Sequence, residues 1–186
     1  MKKNSGRFGW IRFSNLLWTA ACSQGVDSGF ESGWTDEAER VWIGPEYWAN
    51  PMQDWRLANG RIENIVAGGD RNVFLLTREL GAAPGDFRTS VKLGRLEEDI
   101  DAVGLGEGFS GFRVGIRGQF DDYRDSAVRG NGLNVGLLTD GRLFIGRLEA
   151  DAARVAGTFS ELKLRFHAEP DGSSYQATLE ALDASG

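Results

Sequence analysis

At 186 residues, with 41% hydrophobic and 26% charged side chains, the chain is long enough to bury its own core and too apolar to be disordered or collagen-like. Its formal charge of −6 argues against a nucleic-acid partner, whose phosphates select basic surfaces. A single cysteine and a single histidine exclude a disulfide framework, a cysteine-based zinc site and any chemistry that needs two imidazoles.

Residues 1–21 differ from the rest. Lys2, Lys3, Arg7 and Arg12 give them +4 with no acid, so the remainder carries −10. An apolar stretch over 13–21 ends in Thr19-Ala20-Ala21-Cys22. A charged start, an apolar middle and small residues before a cut are the parts of a secretory signal. With cysteine after Ala-Ala, the segment resembles a bacterial lipoprotein signal, in which that cysteine is lipidated; Thr19 stands where leucine is usual. The expectation is an unstructured leader over 1–22 and export to the cell envelope, lipid-anchored through Cys22, otherwise periplasmic or secreted. No run approaches the roughly 20 apolar residues of a membrane span. Residues 23–40, acidic and rich in Gly and Ser, read as a flexible tether. The folded domain is expected over 41–186.

From Arg61 onward the chain reads as short strands. Residues 61–66 are one and 72–80 another, with Val73-Phe74-Leu75-Leu76 continuous enough to be buried on both faces. Phe87, Thr89, Val91 and Leu93 alternate with Arg88, Ser90 and Lys92, and Phe112, Val114 and Ile116 with Arg113, Gly115 and Arg117. This period of two places the apolar set inward and the basic set in water. Residues 133–138 and 143–148 flank Asp140-Gly141, a hairpin signal whose two residues would both take positive φ. Leu162, Leu164 and Phe166 alternate with Lys163, Arg165 and His167. Glu169-Pro170-Asp171-Gly172 reads as a turn, and 175–182 as the last strand. No helix of three turns is found. Many short antiparallel strands predict an all-β fold, a two-sheet jelly-roll sandwich, and 26 glycines beside 4 prolines suit its turns. The ending Leu182-Asp183-Ala184-Ser185-Gly186 is turn chemistry without a returning strand, which suggests a C-terminally truncated domain.

The motifs in residues 41–51 and 54–63, with Gly111-Phe112-Arg113-Val114-Gly115-Ile116 and Asp140-Gly141-Arg142-Leu143-Phe144-Ile145-Gly146, resemble a concanavalin A-like (laminin G-like) sandwich. More narrowly they resemble the module found ahead of the metallophosphoesterase domain in exported PhoD-like alkaline phosphatases. That resemblance implies a non-catalytic accessory module with a downstream catalytic domain as partner. That family's phosphatase chemistry needs a cluster of Asp, His and Asn metal ligands in a separate domain, and with His167 as its one histidine this chain carries none of that set.

Five features bear on chemistry. Gly106-Glu107-Gly108-Phe109-Ser110-Gly111 matches a dinucleotide loop, but a strand rather than a helix follows, so it reads as a loop. Glu97, Asp99 and Asp101 alternate as the catalytic carboxylates of concanavalin-like glycosidases do, although Glu98 interrupts the pattern and the segment also reads as a solvated loop. Asp121, Asp122, Tyr123, Arg124 and Asp125, with Arg129 and Asn131, form the densest polar loop. It is a ligand-contact candidate and, through Asp121, Asp122 and Asp125, a Ca²⁺ candidate, which Arg124 and Arg129 oppose. All six tryptophans lie in the first 55 residues. Trp42, Trp48 and Trp55 are candidate sugar platforms, against their commoner use in closing a core. His167, on the polar side of its strand, reads as a surface residue. Taken together, these features suggest a non-catalytic exported module that binds carbohydrate or another cell-surface ligand, without a cofactor. A glycoside hydrolase using Glu97, Asp99 and Asp101 is the alternative.

Overall fold

The computed structural model describes residues 10–12, 29–34, 39–66, 68–69, 71–78, 83–96, 108–114, 132–154 and 161–183. The described chain is all-β, with one short 3-10 turn at Met52–Asp54. Its strands are β1 (Trp10–Arg12), β2 (Tyr47–Asn50), β3 (Trp55–Ala58), β4 (Arg61–Asn64), β5 (Asn72–Leu75) and β6 (Phe87–Gly94). They continue with β7 (Phe109–Val114), β8 (Leu133–Leu138), β9 (Arg142–Ile145), β10 (Leu148–Arg154), β11 (Glu161–Asp171) and β12 (Ser174–Asp183). Three antiparallel sheets result: six strands in the order β12-β11-β6-β1-β4-β3, four in the order β10-β9-β8-β7, and the pair β2-β5.

Period-two alternation builds the main core. Phe87, Val91 and Leu93 of β6 and Leu162, Leu164 and Phe166 of β11 meet Phe112, Val135 and Leu137 of the four-stranded sheet. Two sheet faces thus close on one apolar layer, as the alternating strands of a half-buried sheet require. A second cluster joins Ile43, Tyr47, Ala49, Trp55, Leu57 and Ile62. Phe30 is buried in it, and Ser32 hydrogen-bonds the Tyr47 hydroxyl. Burial pushes the Tyr47 phenol up from its ordinary value. The tether expectation therefore gives way at residues 29–34, because Phe30 and Trp34 offer aromatic surface that a solvated linker would leave in water.

Other expectations also shift. Within the predicted leader, β1 pairs with β4 and β6, placing Ile11 opposite Ile62 and Leu93. Trp10 and Ile11 are strand-favouring residues, and the segment pairs along two ladder edges at once. Residues 73–75 are half-buried and Leu76 is exposed, not buried on both faces, because β5 pairs only with β2. The hairpin at Asp140-Gly141 forms, but as a three-residue loop: Gly141 N–H donates to the Leu138 carbonyl (3.0 Å), and only Gly141 takes positive φ (88°). The two-residue turn with both angles positive is Asn59-Gly60 (52° and 66°), between β3 and β4. Glu169, Pro170 and Asp171 continue β11 instead of turning, and Gly172-Ser173 make the turn. Pairing with β6 ends at Ala168, so Pro170 sits where β11 has a free edge, the place a strand tolerates a residue without an N–H.

Gly111 faces Gly136 across β7 and β8. A Cβ on Gly111 would lie 2.6 Å from Gly136 Cα and closer still to the Val135 carbonyl oxygen. Those atoms are backbone and cannot swing aside. Gly111→Ala is expected to lower stability by about 1–3 kcal/mol, read from the urea midpoint. Gly108→Ala, whose Cβ meets only Thr139 Cγ2 at 3.5 Å, is the control and is expected to change little.

Candidate functional site

The alternation that buries one face of β6 and β11 sends the other set outward. Arg88, Ser90 and Lys92 on β6 stand opposite His167, Arg165 and Lys163 on β11. On β12, Thr178 stands opposite His167 and Glu180 opposite Arg165. Arg88, Thr89 and Ser90, then Lys163, Arg165 and His167, then Thr178 and Glu180 line a cleft of about 500 Å³. Three permanent cations and one carboxylate therefore share a hollow on a chain whose net charge is −6.

Like charges directly across a ladder oppose each other, and Lys92–Lys163 is such a pair. Acids at the margin compensate in part. Lys92 Nζ lies 4.0 Å from Glu161, Arg165 lies 3.5 Å from Glu180, and Arg88 lies 3.2 Å from Asp86. These are partly exposed pairs in long-reach geometry, each worth at most about 1 kcal/mol. Arg88, Lys92 and Arg165 thus each have an acid beside them, and cations and acids alternate around the cleft.

At one end of the cleft His167 Nε2 lies 2.5 Å from Asp86 Oδ1. Asp86 belongs to the loop that enters β6, and that loop is held from its other side, where Gly85 N–H donates to the Tyr175 hydroxyl (3.2 Å). Glu169, two residues beyond His167 on the same strand, brings a second carboxylate. The ligand atoms of Asp86, His167 and Glu169 all lie within 4.8 Å of one another. His167 is thus a partnered, half-buried residue rather than a plain surface one.

The tryptophan candidates separate. Trp55 is 2% exposed in the second core, its indole N–H without a hydrogen-bond partner among the described residues, and it offers no face to a ligand. Trp48 is half-buried and stacks on Phe74, its cross-strand neighbour, with centroids 5.2 Å apart. Trp42 is 53% exposed, with the Arg40 guanidinium 5.1 Å from its ring centroid. None of the three lines the cleft. Cys22, Glu97, Asp99, Asp101, Asp121, Asp122, Tyr123, Arg124, Asp125, Arg129 and Asn131 lie outside the described residues. In the glycine-rich motif, Phe109 opens β7, a strand and not the helix that a pyrophosphate site needs.

Sequence reasoning passed over the cleft. Its signal was the basic alternation of β6 and β11, which reads as a solvated face until the register sets the two rows side by side. Comparison of this chain with protein families, with curated proteins and with solved structures yields no match.

Proposed function

We propose that this chain is a non-catalytic binding module of the concanavalin A-like jelly-roll type, and that its cleft takes an acidic carbohydrate. The carrying observation is the cluster of Arg88, Lys163 and Arg165 around one hollow in an otherwise acidic chain. Carboxylate or sulfate groups on a sugar chain would neutralise the cations, and the exposed Thr178 and Glu180 supply polar atoms for hydroxyls. The cleft lining contains no Trp, Tyr or Phe, so a neutral pyranose lacks the ring face on which it usually packs. This favours charged over neutral glycans.

The kinship to the accessory module of PhoD-like phosphatases, with a downstream catalytic domain as neighbour, belongs to the same proposal. So does export through a lipid anchor at Cys22, which rests on leader chemistry alone. Cleavage before Cys22 would remove β1, so an exported form would have the slot between β6 and β4 vacated.

Affinity electrophoresis of the full chain in gels containing polygalacturonate, heparin or neutral dextran tests the reading. Retardation by an acidic polymer and not by dextran is expected, weakening as salt screens the field. Lys163→Glu combined with Arg165→Glu reverses two exposed or half-exposed charges and is expected to weaken binding by roughly 10-fold or more, at about 1 kcal/mol per lost contact. Equal retardation by dextran, or no effect of the double reversal, would sink the proposal.

A further inference from the structure

We propose that Asp86, His167 and Glu169 form a binding site for a divalent transition metal of the zinc class at the end of the cleft, where His167 belongs to both the cleft lining and the ligand set. Two carboxylates and one imidazole match the nitrogen and oxygen donors that Zn²⁺ takes, three protein ligands leaving a fourth position for water. Ca²⁺, which seeks six to eight oxygens, suits the set less well.

The geometry supports this in three ways. The ligand atoms already lie within 4.8 Å of one another, so a metal would draw them together by little more than side-chain rotation. Their backbones are also held. His167 and Glu169 share one face of β11 and lie within its ladder to β12, and the Asp86 loop is fixed by the Gly85–Tyr175 hydrogen bond. The charges, finally, are unbalanced. Asp86 and Glu169 lie just past the last β6–β11 pair, Phe87 with Ala168, and their carboxylates come within 4.8 Å of each other. Two carboxylates that close repel each other, and Arg88 and His167 both sit on the Asp86 side. Arg88 reaches Asp86 Oδ2 at 3.2 Å, while Glu169 has no hydrogen-bond or ion-pair partner among the described residues. A metal would replace the proton shared by Asp86 Oδ1 and His167 Nε2 and engage Glu169 as well, with Arg88 kept on the outer oxygen.

His167 is the only histidine in the chain, which makes the test residue-specific without mutation. ZnCl₂ is titrated into the full-length protein while the ring resonances of the single imidazole are followed by NMR, and calorimetry gives the stoichiometry. The ring signals are expected to shift and saturate at one equivalent. Co²⁺ is expected to give visible d–d absorption at the same stoichiometry. His167→Gln and Glu169→Gln are each expected to weaken Zn²⁺ binding at least about 10-fold, since even loss of an outer-shell partner costs that much. Glu169 is exposed, so its variant keeps the test open should His167→Gln disturb the strand. Cys22→Ser is expected to bind as the parent does. Absence of saturable Zn²⁺ binding overturns the proposal. So does binding that leaves the imidazole signals unmoved, binding unchanged in both glutamine variants, or binding lost in Cys22→Ser.

Discussion

Phe166→Ala is expected to cost about 3–5 kcal/mol, the range for removing a large ring from a closed core. Phe166 is 1% exposed. Its ring meets that of Phe87 edge-on, with centroids 6.2 Å apart, and its register partners are Thr89 on β6 and Leu179 on β12. β11, which carries it, is held from both sides, so the cavity cannot collapse without breaking a ladder. Domains of this size have about 5–15 kcal/mol in total, and the loss is therefore a large fraction of the whole. Urea unfolding read by circular dichroism measures it. Arg165→Ala, one residue away on the outer face, is the control and is expected to stay within about 0.5 kcal/mol. A loss below about 1 kcal/mol for Phe166→Ala would mean that the six-stranded sheet does not close on the four-stranded one, and the cleft on its far side would lose its rigid floor.

The second large effect is expected at Glu63, a carboxylate only 1% exposed on β4. Arg56 Nε, its cross-strand neighbour, donates to Glu63 Oε2 at 2.7 Å, and Arg61 Nε donates to Oε1 at 2.9 Å. The hydrogen bond to Glu63 is the main reason the Arg56 guanidinium is held above its ordinary pKa. Both arginines remain about a third exposed, so the desolvation cost falls mostly on the carboxylate. Removing both partners with Arg56→Gln and Arg61→Gln leaves that carboxylate buried without its two cations, and breaking such a pair from one side costs about 3–5 kcal/mol. Adding Glu63→Gln to the double variant removes the uncompensated charge and is expected to restore most of the loss. This rescue separates a charge effect from simple loss of packing. If the triple variant unfolds as early as the double, the clamp acts through the arginine stems covering apolar surface and not through charge.

Much of the strand pattern could be read from local chemistry. Residues 87–93 and 162–166 alternate strictly, and a strand with one face in an apolar layer has no other low-energy register. The Asp140-Gly141 turn was also legible, although its loop length was not, because one residue more or less depends on how Leu138 and Arg142 meet across the ladder. Phe30 and Trp34 were missed as core because their polar neighbours Ser28, Glu31, Ser32 and Gly33 read as linker. What buries Phe30 is the cluster around Tyr47 and Leu57, distant in sequence.

By itself the sequence determined the all-β class, the acidic balance of everything after residue 21, and which face of each strand is apolar. These follow from composition and a two-residue period, which are local properties. Only the tertiary structure decided which strands are neighbours, because sheet order is set by long-range pairing that no local pattern encodes. That order lays the basic row of β6 against the basic row of β11, brings Asp86 to His167 across 81 positions, and turns Trp55 inward while leaving Trp42 in water. The cleft and the three-ligand cluster are consequences of register, and a register is a relation between two strands rather than a property of either one.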